Sequence, residues 1–183
     1  LFRLLIESYP IDAVLARLPE IRRVVVRVGV PQIAAYLHSS IAVLEGQVGR
    51  LDEALRHCEI AESLLKLDPN SWVLGSSLLN KGCVAYLRCN LREAAEYVAA
   101  AKRLADTTGH AGLASATEIT LGHIDLLTGD FRRAEANAAR VLNNSQSPTF
   151  TTIAASEGLS RIYLALNRLD DCAAALRDRK STR

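Results

Sequence analysis

Residues 129–134 read GDFRRA, and related stretches occur at 49–54 (GRLDEA), 90–94 (NLREA) and 167–172 (NRLDDC). The large apolar residues of the four copies are 40, 40 and 38 positions apart: Leu51, Leu91, Phe131 and Leu169. A constant spacing of this size is typical of stacked supersecondary units, so the chain is predicted to be a repeat array. In each copy a helical apolar pattern meets a turn-prone residue, and a small residue follows the large apolar one by three positions. This pattern predicts two closely packed helices joined by a tight turn.

The third copy points to a family. Residues 121–134 read LGHIDLLTGDFRRA and resemble the tetratricopeptide repeat, which runs Leu-Gly, an aromatic residue, then Gly-Asp-aromatic and a small Ala. Asp125 stands where the inner aromatic residue is usual. The resemblance covers roughly residues 31–180 and implies an all-α, right-handed α-solenoid of stacked antiparallel helix pairs. The spacing exceeds the standard repeat of about 34 residues and is similar to that of large bacterial signalling and transcription regulators.

The apolar pattern predicts eight helices in residues 31–183, at 31–47, 51–66, 71–88, 91–108, 110–128, 131–144, 148–166 and 169–179. These residues are expected to form four helix pairs in one continuous solenoid. Residues 1–30 are expected to be the tail of a preceding helical unit or separate N-terminal helices, over 12–18 and 19–28. The β-branched run Val24 to Val26 could form a strand, but Pro19 and Gly29 favour a helix. Because the chain has no methionine and opens within a helical pattern, we expect it to be a fragment.

The composition agrees with a helical solenoid, with 49% apolar, 23% charged and 5% aromatic residues. No apolar run reaches the roughly 18 residues of a membrane-spanning helix and no signal peptide is recognised, so we expect a cytoplasmic protein without a membrane partner. The cysteines are predicted to lie inside helices as free, buried thiols, with no metal and no cofactor: Cys58, Cys83, Cys89 and Cys172.

Charge and motifs argue against two functional classes. The net charge is +2, from 22 basic and 20 acidic residues in mixed order, so direct nucleic-acid binding is not expected. Phosphate-binding, metalloprotease and nucleophile motifs are absent, and we expect a protein that is not an enzyme. Three neighbouring pairs, His57 with Cys58, His38 with Ser39 and His123 with Asp125, lie one or two residues apart on a helix and so face different ways, which predicts no catalytic dyad.

The first helix of each pair lines the concave face of tetratricopeptide arrays, so the resemblance implies a partner groove there. Its residues would be Ser39, Val43, Gln47, Asn80, Cys83, Thr120, His123, Glu157 and Arg161. Co-chaperone domains of this family hold a C-terminal carboxylate with several Lys, Arg and Asn side chains. Only Asn80 matches that set, which disfavours chaperone-tail binding. Trp72, after the helix-capping Ser71, is predicted to be a wedge between repeats rather than a ligand platform.

Two functional classes remain open. The first is a non-catalytic protein-interaction scaffold, a fragment of a larger bacterial regulatory protein, whose concave groove binds a peptide or a helix. The partner would be another protein or another domain of the same parent chain. The alternative is a small-molecule effector-sensing domain of a transcription regulator. A sheltered cavity around Asn80 and His123 would favour the alternative, and an open groove would favour the scaffold.

Overall fold

A computed structural model describes residues 13, 16–27, 29–68 and 70–181. The helices of these ranges are α1 (Leu18–Arg27), α2 (Pro31–Gln47), α3 (Leu51–Leu64), α4 (Trp72–Leu87), α5 (Leu91–Thr108), α6 (Ala111–Leu127), α7 (Phe131–Leu142), α8 (Thr149–Ala165) and α9 (Leu169–Ser181). All eight helices expected after residue 30 are present, with ends within two residues of the prediction. Helix α1 confirms the helical interpretation of Val24 to Val26, whereas the helix predicted over 12–18 lies mostly outside the described residues.

The helices form an all-α array of four consecutive pairs, α2 with α3, α4 with α5, α6 with α7 and α8 with α9. Each second helix also packs against the first helix of the next pair, and the first helices α2, α4, α6 and α8 contact one another in sequence. The first helices therefore share one side of the array. Helix α1 packs on α2 through Leu18, Ile41 and Leu44. In the part of the chain that the structure describes, no helix is long and apolar enough to cross a membrane.

Each helix pair turns through the same hydrogen-bonded motif. The amide N–H of the residue just before the second helix donates to a carbonyl oxygen five residues earlier, at 2.7 to 2.9 Å: Arg50 to Glu45, Asn90 to Ala85, Asp130 to Asp125 and Arg168 to Tyr163. The residue preceding each donor has a positive φ, +78° at Gly49, +60° at Cys89, +81° at Gly129 and +56° at Asn167. This is the Schellman arrangement, which satisfies carbonyl groups at the end of the first helix. The four related stretches of sequence are thus four copies of one turn.

The turn corrects the prediction for Cys89. This residue was expected inside a helix, but it occupies the left-handed position of the second turn and is exposed. The predicted helices at 71–88 and 91–108 already left residue 89 between them, so the placement of Cys89 inside a helix disagreed with those bounds. Cysteine here replaces the glycine that marks the same position in the first and third turns. Of the other thiols, Cys58 is buried and Cys83 and Cys172 are half-buried. Burial raises the pKa of Cys58 to about 12.

Small residues set the distance between paired helices. The predicted contact residues Ala54, Ala94 and Ala134 are each 0% exposed. Gly82 lies so close to α5 that a Cβ atom there would be 2.5 Å from Cγ2 of Val98. Around these contacts the described apolar side chains form five separate clusters rather than one continuous core. The fold is therefore held together by contacts between neighbouring units, as in other solenoids.

Candidate functional site

The first helices α2, α4 and α6, together with the start of the fourth first helix α8, line a groove with a volume of about 310 Å³. Its walls come from all four helix pairs and are lined by Tyr36, Ser39, Ser40, Val43, Gln47, Trp72, Ser76, Leu79, Asn80, His110, Gly112, Leu113, Ala116 and Phe150. The volume is at the lower end of the range of about 300 to 1,000 Å³ found for ligand pockets. We refer to this surface as the first-helix groove.

Each helix pair contributes one ring to the first-helix groove. Tyr36 lies in the second turn of α2, Trp72 begins α4, His110 precedes α6 and Phe150 is the second residue of α8. The Trp72 and His110 rings stack, with centroids 4.7 Å apart and an interplanar angle of 24°. Tyr36 meets Trp72 edge to face, with a centroid distance of 5.6 Å. Three successive units are thus joined by contacting rings, and such pairs add to the stability that burial alone provides.

Helix caps fix two of these rings in place. The Ser71 hydroxyl accepts a hydrogen bond from the backbone N–H of Val73 at 3.2 Å, which confirms the predicted cap and begins α4 at Trp72. The Nδ1 atom of His110 accepts from the backbone N–H of Leu113 at 3.0 Å, so a neutral His110 carries its hydrogen on Nε2. Trp72 was expected to be a wedge rather than part of a ligand surface. It packs between repeats as expected, and it also lines the groove.

The first-helix groove is uncharged. Among the described residues that line it, none is an Asp, Glu, Lys or Arg. Both Nδ2 hydrogens of Asn80 are used within the fold, since Nδ2 donates to the backbone oxygen and to the hydroxyl of Ser39, each at 3.0 Å. The Ser40 hydroxyl donates to the Tyr36 carbonyl at 2.9 Å. The surface offered to a ligand is therefore mostly aromatic and aliphatic, with amide and hydroxyl groups from Gln47 and Ser76.

Four of the nine residues predicted for the partner groove lie together in it: Ser39, Val43, Gln47 and Asn80. The other five are not among its lining residues: Cys83, Thr120, His123, Glu157 and Arg161. The amide nitrogen of Asn80, a residue predicted for the groove, donates to Ser39 and so ties α4 to α2. On α4, α6 and α8 the five residues outside this groove lie nearer the C-terminal end of the helix than the residues that line it.

A second group of predicted residues lies between α6 and α8. His123 borders a narrow crevice with Gly158, and its ring is 6.5 Å from that of Tyr86. Burial lowers the pKa of His123, and the positive charge of Arg161 lowers it further, whereas Glu157 acts in the opposite direction. The crevice volume of about 10 Å³ has room for roughly one water molecule. His123 and Asn80 therefore line different cavities, and not one shared cavity of the kind that would favour the effector-sensing alternative.

Cys83 and Thr120 lie side by side at the contact between α4 and α6. Burial raises the pKa of the Cys83 thiol, and a hydrogen bond with Thr120 partly opposes this rise. The Thr120 hydroxyl also donates to the carbonyl oxygen of Ala116 in its own helix, at 2.9 Å. A largely protonated thiol packed against a neighbouring helix is a poor nucleophile. These two residues act in helix packing.

Two histidines form a pair that the sequence analysis did not anticipate. His38 of α2 and His57 of α3 approach to 2.8 Å between their Nδ1 atoms, and His57 is only 8% exposed. Burial lowers the pKa of His38. One imidazole must donate and the other must accept, so the bond requires at least one neutral ring. In the described ranges no group of three or more His, Cys, Asp or Glu side chains could hold a metal ion.

Asp125, which departs from the family pattern, is buried between paired helices and held by polar partners. Its Oδ2 atom accepts from Nδ2 of Asn137 at 2.8 Å, and its Oδ1 atom is 3.5 Å from Nη2 of Arg133. Burial raises the pKa of Asp125, and the charge of Arg133 partly offsets that rise. The hydrogen bonds replace the apolar contact that an aromatic side chain would make there, because a buried carboxyl group requires partners.

Comparisons with known proteins bear on the fold. No family model and no curated protein matches the chain. Among solved structures, the chain is similar to the crystal structure of BtubC (BKLC) from P. vanneervenii, with a TM-score of 0.70 and 17% sequence identity. That similarity covers 100% of this chain and 76% of the other. At this level of identity, the likeness shows the shared all-α architecture and no more.

Proposed function

We propose that this chain is a non-catalytic protein-interaction scaffold whose first-helix groove binds an uncharged peptide segment rich in aromatic and aliphatic side chains. One observation carries the proposal: rings from all four helix pairs line a single groove that contains no Asp, Glu, Lys or Arg among its described lining residues. Aromatic side chains provide large contact area and dominate the energetics of protein interfaces. A ligand with a carboxylate or phosphate group would find no Lys or Arg side chain on these walls.

The form of the groove favours an extended ligand. Contacts from α2, α4, α6 and α8 succeed one another along the array, so a chain segment could meet one ring after another. A volume near 310 Å³ accommodates a few anchoring side chains rather than a whole folded surface. Arg56, Glu96 and Arg132 lie on the second helices and are exposed and charged, so the surface of those helices differs in character from the groove.

We further propose that the chain is a tetratricopeptide-like unit of a larger bacterial regulatory protein in the cytoplasm. The four turns of one kind, their near-constant spacing and the small contact residues support this assignment. Its partner would be another protein or another domain of the same parent chain, without direct contact to nucleic acid. These proposals derive from the resemblance of residues 121–134 to the repeat pattern.

A second candidate function is the sensing of a small effector within a transcription regulator. The enclosed volume favours it, because about 310 Å³ is also sufficient for a small neutral aromatic molecule. The stacked rings of Trp72 and His110 would then form part of its binding surface. Native mass spectrometry of the chain purified from its own cells would test this candidate, since a retained effector adds a defined mass.

Trp72 provides a direct assay for the scaffold proposal, because it is the only tryptophan of the chain and it lines the groove. Random peptides displayed on phage would be selected on the immobilised protein, and the enriched sequences would be synthesised. We expect them to share uncharged aromatic and aliphatic residues. Their binding should change the emission of Trp72, because the environment of the indole changes when the groove fills.

Phe150→Ala and Leu127→Ala form a matched pair for this assay. Phe150 is 42% exposed at the groove, whereas Leu127 is 52% exposed and outside the lining. Loss of an aromatic anchor should weaken peptide binding about tenfold, and the Leu127 variant should bind normally. Equal binding by both variants, or selection of strongly charged peptides, would show that the groove is not the binding surface.

A further inference from the structure

Helix α9 presents an uncovered apolar stripe. Leu169 is 59% exposed and Leu176 is 44% exposed. They are seven residues apart, so they lie on the same side of the helix, and the exposed Ala173 lies between them. Another side of α9 is already used, because Ala175 packs into the cluster formed with α7 and α8.

The same stripe is covered in every preceding pair. The residues that correspond to Leu176 are Cys58, Val98 and Ala138, with exposures of 0%, 0% and 5%. In the second helices α3, α5 and α7 this stripe shares an apolar cluster with the next first helix, which contributes Val84, Ile124 or Ile162 at the matching place. The stripe of α9 therefore continues an established helix-to-helix interface, but no helix of the described chain packs on it.

The charged residues beside this stripe can pair with the oppositely charged residues of a second copy of α9. Asp170 and Arg177 are also seven residues apart, so both flank the stripe on the same side, and both are exposed. If a second α9 is laid antiparallel on the first, Leu169 lies opposite Leu176 of the other copy and Asp170 lies beside Arg177 of the other copy. A parallel arrangement about a two-fold axis would instead place Asp170 of the two copies on opposite sides of the stripe, and Asp170 could then not lie beside Arg177 of the other copy. Contacts made twice about a two-fold axis are the usual form of a homodimer interface.

We propose that α9 pairs antiparallel with α9 of a second copy of this chain, so that two arrays join through the stripe of Leu169 and Leu176. The pairing buries the stripe on both copies. It leaves the first-helix groove free, because none of the stripe residues lines it. The result would be a longer array with two grooves.

Sedimentation equilibrium of the 183-residue chain at micromolar concentrations tests the proposal. We expect a species of twice 19.9 kDa. Leu169→Glu combined with Leu176→Glu should weaken association about 100-fold, because two apolar contacts are lost on each copy. Leu87→Glu, at a residue that is 54% exposed on α4, should leave association unchanged. Circular dichroism would verify that each variant retains its helices. A wild-type chain that stays monomeric would overturn the proposal.

Charge reversal tests the antiparallel arrangement separately. Asp170→Lys places two positive charges at each contact, and Arg177→Glu places two negative charges there, so each variant alone should associate more weakly than wild type. An equal mixture of the two variants should restore association as a heterodimer, since both ends then carry opposite charges. If the mixture associates no better than either variant alone, then a different surface or a different partner covers α9.

Discussion

Two glycines at equivalent positions of the array should respond oppositely to the same substitution. Gly82 of α4 and Gly122 of α6 both face the second helix of their own pair. At Gly82 an added methyl group would lie 2.5 Å from Cγ2 of Val98 and 3.2 Å from the carbonyl oxygen of Ala94. At Gly122 the nearest atoms are 3.5 Å away, an ordinary van der Waals contact. We therefore expect Gly82→Ala to destabilise the protein and Gly122→Ala to stabilise it.

The magnitudes follow from two opposing effects. Replacing a glycine by alanine within a helix stabilises by roughly 0.5 to 1 kcal/mol, because the unfolded chain loses freedom. Overpacking costs about 1 to 3 kcal/mol, and Val98 cannot avoid it easily, since it is 0% exposed and its β-branched side chain has few rotamers. The net loss for Gly82→Ala is about 1 kcal/mol, or about 2 to 4 °C in the thermal midpoint. Gly122→Ala should raise that midpoint by about 1 to 4 °C.

Thermal and urea unfolding followed by circular dichroism would measure both variants. A double-mutant cycle isolates the cause, because Val98→Ala removes the methyl group that Gly82→Ala meets. In the Val98→Ala background, Gly82→Ala should become neutral or stabilising. If Gly82→Ala raises the midpoint of the otherwise unchanged protein, the close approach of α4 to α5 is refuted.

Three further outcomes follow from the described residues. Burial holds the pKa of His38 and of His123 below the ordinary 6.5, so the unfolded chain takes up protons first as the pH falls. The free energy of unfolding should therefore decrease from about pH 7 downward and level off below the lowered pKa values. The variant His123→Gln should show a weaker dependence on pH. A free energy of unfolding that rises on acidification would contradict this expectation. Because Cys89 is exposed and the pKa of Cys58 is raised to about 12, peptide mass spectrometry after iodoacetamide treatment should find Cys89 modified first and Cys58 only after unfolding. Cys89→Gly should raise the thermal midpoint through a gain of about 1 kcal/mol, because φ is +60° there; an unchanged or lower midpoint would mean that the left-handed conformation carries no strain.

The helices were predictable because the chain marks their ends locally. Proline at residue 31, the Ser71 cap and the left-handed turns at Gly49 and Gly129 each act within a few residues. At Cys89 the same backbone conformation is held by the hydrogen bonds of the turn rather than favoured by the residue type. A turn of this kind is easiest to recognise from local sequence when the residue at its left-handed position is itself one that favours a positive φ, as glycine does.

The groove was only partly predictable because its walls depend on how successive units are aligned. Periodicity identifies the first helices, but not which turn of one helix lies beside which turn of the next. Trp72, His110 and Phe150 were not predicted as groove residues. They lie at the starts of the first helices, whereas the predicted residues lie farther along those helices. A usable signal was present: the rings from Tyr36 to Phe150 recur after 36, 38 and 40 residues. The histidine pair of α2 and α3 likewise required the packing of two helices.

The division of the core into five clusters has a mechanical consequence. Each cluster lies where neighbouring elements meet, so cooperativity passes along the chain only from one unit to the next. Such an array opens stepwise, and its terminal helices open at lower free energy than its middle. A ligand held by Tyr36, Trp72, His110 and Phe150 would bridge all four pairs at once. A bound ligand would then couple the unfolding of the four pairs. The array would resist tension and partial unfolding along its whole length and would no longer open one unit at a time.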